Sequence, residues 1–359
     1  MKTTLLKLGI VSIFLNTLAV AAQAQLQTQK GDAWWDRLGI SYRGAFNISA
    51  NFTGLGGFTS MNTPGVPGPT PTAGGLGTVV RTYDDGFIGV DISGNVGGTT
   101  TYWGYNNSAA QVVGGNVLMH NSSSPATASS GDVGNDPHSG IELSYFQPLG
   151  GKDRWHWGVE GAFNWTPINL QDSRTLAGGV VTATHAYALN GVVPPVSPPA
   201  YVGPVEGPGA PQLSTDAMNA GATTQAGAAT ISGYRKIDAN LYGLRLGPYV
   251  EYDLFKRVSV DLSGGFSTGI IDSRFDYNNL VTITGLGSQT SAGSDRSCDW
   301  VYGGYVRGQV NVQLHKSATV FAGAELNSLN DFTQSSDSAH AQINLGSAVY
   351  VTAGLRMSF

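Results

Sequence analysis

Ten charged residues sit inside segments that otherwise alternate apolar and polar: Arg43, Asp91, Glu142, Glu160, Arg245, Glu251, Asp261, Arg307, Glu325 and Arg356. Acid and base are interspersed among them. Gathered in one interior they would form an ion-paired, water-containing core, or a transverse field that selects small polar solutes. A second set could activate water. Asp84-Asp85 is an acidic pair, and Asp136-Pro137-His138 puts a histidine two residues from a carboxylate. A His–Asp pair can act as general base while a second acid pair holds the water. Adjacent aspartates on a strand point to opposite faces, however, whereas a catalytic pair must converge. Pro137 disturbs a ladder where the dyad would be held. Asp84-Asp85-Gly86 and Asn135-Asp136-Pro137 are ordinary turn chemistry. The six histidines, His120, His138, His156, His185, His315 and His340, show no H-x-x-x-H or Cys/His spacing, so no metal is expected. Cys298 is the only cysteine, which rules out an intrachain disulfide. Glycine runs such as Gly54-Leu55-Gly56-Gly57 precede no helix, so no nucleotide site is expected. The expectation is no enzyme and no cofactor.

The elements that must position the ten charges are strands. Ile40 to Phe52 alternates, with Ile40, Tyr42, Phe46, Ile48, Ala50 and Phe52 on one face and Arg43 on the other. The same pattern covers 81–92, 99–113, 140–147, 155–165, 236–252, 258–270, 300–314, 320–326 and 349–359. That count is ten strands. Eight result if the 99–113 hairpin is absent, and twelve if 175–193 hides one. Long connections (53–80, 114–137, 168–234, 275–298, 328–341) alternate with short ones (93–98, 148–153, 253–257, 315–316). A soluble sandwich has no reason to put every long loop at one end, whereas membrane barrels do so. The prolines between 190 and 211 forbid ladder pairing through the centre of the largest loop.

Composition agrees. Only 12% of the 359 residues are charged, with 50 glycines and 10% aromatics, against about 25% charged in soluble domains. Residues 1–24 fit a secretory signal: Lys2 and Lys7, the apolar run Leu8 to Val20, then Ala22-Gln23-Ala24. A periplasmic segment over 25–38 would follow, then a barrel over 39–359. Nothing approaches 18 consecutive apolar residues, so spanning helices are excluded. A net charge of -5 without a basic block excludes nucleic acid as a partner.

The last strand carries a resemblance. Val351, Ala353, Leu355, Met357 and Phe359 share one face, and Phe359 ends the chain. This resembles bacterial outer-membrane β-barrels, in which such a terminal pattern is the signal read by the barrel-assembly machinery. The resemblance implies an all-β, transmembrane, antiparallel up-and-down barrel of about ten strands, with long external loops and short periplasmic turns. It implies outer-membrane lipid and the assembly machinery as partners, and Trp155, Trp157, Trp165, Trp300, Tyr252 and Phe359 in interfacial girdles. The acidic pairs Asp84-Asp85 and Asp136/His138 resemble those of omptins, ten-stranded outer-membrane proteases, with the departures already given. A monomer with a structural or surface-interaction role is expected, its loops meeting an extracellular ligand. A narrow porin-like channel is the alternative, and an omptin-like protease comes third.

Overall fold

The computed structural model describes residues 37–60, 62, 78–91, 98–191, 193, 211–315 and 317–357. The expected signal peptide over 1–24, nearly all of the 25–38 segment, most of the 190–211 loop and Phe359 lie outside these residues. Eight long strands form a closed ring: β1 (Leu38–Phe46), β2 (His138–Lys152), β3 (Trp155–Asp172), β4 (Met218–Phe255), β5 (Val258–Ile283), β6 (Gly287–His315), β7 (Ala318–Leu329) and β8 (Ala348–Met357). Each pairs antiparallel with the next, and β8 returns to β1 with Arg43 opposite Thr352. Closure removes the free edges of a sheet, so every ring strand has two hydrogen-bonded neighbours.

The ring has eight strands rather than ten. Segments 81–92 and 99–113 are strands in part, but outside it. Thr78–Tyr83, Gly86–Asp91 and Trp103–Tyr105 form a separate three-stranded sheet. Its apolar residues Ile88, Trp103 and Tyr105 pack with Val117, Met119 and Tyr187 in a core of their own. Alternation shows that a strand has an apolar face, but not whether lipid or protein covers it. The strand that ends at Asp91 is therefore not a strand of the ring.

Several expected loops hold strand. The 275–298 segment is the upper hairpin of β5 and β6, paired from Phe275↔Asp295 to Ile283↔Gly287. Within 168–234, β3 runs on to Asp172, opposite Arg235 of β4, and β4 begins at Met218. A further strand, Leu176–Ala188, lies between β4 and Asn116–Ser123. That last strand falls in the expected 114–137 loop. The 328–341 segment holds most of a hairpin, Phe332–Ser336 with Ala339–Asn344, which joins Ser49–Thr53 and Asp132–Gly134 in a four-stranded sheet.

These segments read as loops because their polarity inverts. Along β5 the outward residues run Val260, Leu262, Phe266 and Ile270, then Asp272, Arg274, Asp276 and Asn278. The inward residues run Ser259, Asp261, Ser263 and Ser267, then Ile271, Phe275, Tyr277, Val281 and Ile283. The lower half is built for lipid outside, and the upper half is an ordinary water-soluble strand. In the first expected strand the change comes with a break. Asn47 has φ of 61°, a left-handed conformation that asparagine tolerates. Beyond it Ile48, Ala50 and Phe52 are buried instead of sharing the exposed face of Tyr42 and Phe46.

Candidate functional site in the barrel lumen

Nine of the ten charged residues point into the ring. Alternation dictates this, because each is flanked on its strand by outward-facing residues. Four of them close a square. Arg43 on β1 reaches Glu142 on β2 at 2.5 Å and Glu325 on β7 at 2.8 Å. Arg245 on β4 reaches the same two carboxylates, each at 2.6 Å. Every side chain is fully buried, and the four charges cancel. The Arg43 guanidinium also lies 3.6 Å from the centre of the Tyr350 ring. A cation over an aromatic face is favourable, the more so when desolvated.

A second cluster lies nearer the short turns. Arg307 on β6 pairs with Glu160 on β3, and with Asp261 on β5 at 3.3 Å. Glu160 accepts the Tyr305 hydroxyl at 2.8 Å. Asp261 accepts Gln309 at 3.1 Å and Asn311 at 3.0 Å. Arg245 approaches Glu160 at 3.8 Å and joins the clusters. Two guanidiniums pack on Phe146, Arg307 at 5.2 Å and Arg356 at 3.9 Å. An eight-stranded interior is just wide enough for side chains to fill, and here they are charged ones that meet across it.

Above the square the filling turns apolar. Two to four positions beyond the polar residues, the inward side chains become Ala45, Ile168, Leu241, Ile271, Val301 and Leu329. Ile48, Phe52, Phe332, Ile343 and Leu345 from the external segments complete this core. Phe52 stacks on Phe275 at 5.9 Å, and Phe275 on Tyr277 at 5.6 Å. The lumen is crossed by ion pairs and then stoppered by packed hydrocarbon.

The outer wall is the reverse. Ile40, Leu143, Phe163, Leu246, Leu262, Phe266, Val306, Leu326 and Val351 are exposed around the ring. Monomeric soluble proteins rarely expose so continuous an apolar surface. Trp165, Tyr242, Ile270 and Trp300 lie in direct register on four neighbouring strands at its upper rim. Trp155 and Tyr252 pack at 4.7 Å at the lower rim. Tyr242 to Tyr252 is the length, about 9–11 residues, that a tilted strand needs to cross a bilayer.

The chain is a closed eight-stranded β-barrel with the apolar outer wall of a membrane-crossing one. No protein-family model and no curated protein matches it. Among solved structures it is similar to Ail, the attachment invasion locus protein of Yersinia pestis, crystallised with the heparin analogue sucrose octasulfate. The identity is 9%, the TM-score 0.24, and 90% of this chain and 98% of that one are covered. It is similar also to the outer-membrane protease OmpT of Escherichia coli, at 11% identity and TM-score 0.30, over 92% and 99% of the two chains. Neither likeness carries a residue role to this barrel.

The two acidic pairs noted in the sequence are not brought together. Asp84-Asp85 is the turn of the outer hairpin and docks it on Asn116–Ser123. Asp85 accepts the His120 backbone N–H at 2.9 Å and meets the His120 ring at 2.5 Å. Asp84 accepts the Asn62 side chain at 2.6 Å, and burial pushes its carboxyl above the usual range. Asp136 accepts the Asn47 backbone N–H at 2.7 Å, and His138 lies buried at the top of β2, 3.8 Å from Asp136. Of the terminal pattern, Val351, Ala353, Leu355 and Met357 lie on the lipid side of β8. The inward aromatics Phe146 and Tyr249 escaped the sequence reading. Their only signal was position, since each falls on the charged face of its strand.

Proposed function

We propose that this barrel is a closed membrane anchor and that its work is done by the β-rich head above the membrane, through surface interaction with an extracellular ligand. The observation that carries this reading is the lumen: a neutral square of buried ion pairs lies directly beneath an apolar core. A permeating solute would have to break desolvated charge pairs and then cross packed hydrocarbon, and both steps are costly. The head has the size for recognition. Beyond the aromatic rim β5 continues from Asp272 to Ile283, about 40 Å of strand at ~3.3 Å per residue. Its acidic pairs hold hairpins in place, so the reading assigns the barrel no catalysis. Planar-bilayer recording with the purified chain tests the proposal. Electrical silence is expected, and conductance steps of uniform size would overturn it in favour of the narrow channel.

A further inference from the structure

The short-turn mouth of the barrel holds a cavity of about 470 Å³. Four cations line it, Arg154, Lys256, Arg257 and Arg356, against two acids, Glu251 and Asp253. Both acids are engaged. Glu251 accepts Ser259 and, at 3.5 Å, Asn311, while Asp253 meets the His156 ring at 3.1 Å. The cations are not: among the described residues no carboxylate lies within 4 Å of any of the four. Arg356 is the informative one. Its Nε and Nη2 are buried without a hydrogen-bond partner. Its guanidinium packs on Phe146, the ring on which Arg307 also packs. Asp261 and Glu251 act on its charge only from beyond 4 Å, and Nη1 is the nitrogen left to face the cavity. A guanidinium is shaped to bind oxyanions, and an excess of positive charge between low-dielectric walls focuses the field on that spot.

We propose that this mouth binds a small free oxyanion of the phosphate class, held by Arg356 at the closed end and by Arg154 and Arg257 at the rim. The cavity has the size of a small-ligand site, about 300–1,000 Å³. Its principal cation, Arg356, is inside the ring, so the strands screen it from the headgroups of the surrounding bilayer. The site does not depend on whether the lumen conducts, and its test is separate from the conductance test. Inorganic phosphate is titrated into the full-length chain, folded in a phosphate-free maltoside detergent at low ionic strength, and followed by ³¹P line broadening and calorimetry. The wild type is expected to show saturable one-to-one binding. Arg356→Gln should weaken it about tenfold or more, the effect of one charge-assisted hydrogen bond, and Arg356→Lys should restore part of the loss. Absence of saturable binding by the wild type, or binding that Arg356→Gln leaves unchanged, overturns the proposal. Should Arg356→Gln fail to fold, judged by heat-modifiable gel mobility, the exposed double variant Arg154→Gln/Arg257→Gln decides: weaker binding supports the site, and unchanged binding overturns it.

Discussion

Arg43 has two acid partners in the lumen, and each of those acids has a second arginine partner in Arg245. This reciprocity makes the square stable to burial. Each ion loses its water, but each gains two opposite charges at hydrogen-bonding distance. Removing one corner leaves two carboxylates desolvated with half their partners. Arg43→Met should therefore cost about 3–5 kcal/mol, the usual penalty for breaking a buried pair. Urea unfolding in lipid vesicles, followed by tryptophan fluorescence, measures it. Arg43→Met combined with Glu325→Met should cost less than the sum of the two single changes, because the double variant leaves less charge unpaired. Equal or additive losses would show that the square contributes little.

At the scale of the strand, the feature to explain is one continuous β5 passing through two solvents. Leu262 and Leu280 face outward on this strand, and are 62% and 42% exposed. They are indistinguishable by residue type, strand or direction. Leu262 lies below the aromatic rim at Ile270, and Leu280 lies above it. An arginine on the lipid face costs about 2–4 kcal/mol near the midplane, whereas surface changes in water cost about 0.5 kcal/mol or less. Leu262→Arg should thus lower stability in vesicles by about 2–4 kcal/mol, and Leu280→Arg by a small fraction of that. Similar losses from both would mean that the membrane boundary is misplaced. The same boundary explains Asn47. Its positive φ lets β1 leave the ring wall, and its side chain donates to the Ser347 carbonyl and hydroxyl at 2.9 and 2.8 Å.

Taken whole, the described residues form three apolar clusters, two of which share Ala128 and Leu176 at their margins. One fills the upper barrel, a second lies around Val180, Ile231 and Val281, and a third gathers Tyr83, Ile88, Trp103, Tyr105 and Met119. The ring itself depends on none of the third core. Replacing residues 62–106 by a short Gly/Ser linker should leave an assembled barrel that still shows heat-modifiable mobility, while loosening the outer head to proteases. Loss of the mobility shift would mean that the outer sheet is needed for closure. This separation is what an anchor with an interchangeable surface requires, since loops vary while the scaffold holds.

The sequence by itself determined that this chain is a membrane-crossing barrel and which face of each crossing strand meets lipid. Those facts follow from a period of two, visible in residues such as Ile40, Tyr42 and Arg43 without knowledge of any neighbour. It also determined nine of the ten lumen charges, since alternation alone sends them inward. Only the tertiary structure decided that the strand ending at Asp91 is not part of the ring, that eight strands close it, and that Arg43 meets Glu325, 282 positions away. Alternation reports that a strand has two unlike faces. It is silent on what covers them, and lipid, a protein core and a ring of opposite charges leave the same mark on a local pattern. Which of these covers each face depends on contacts far apart in the chain, and those exist only once the barrel is closed.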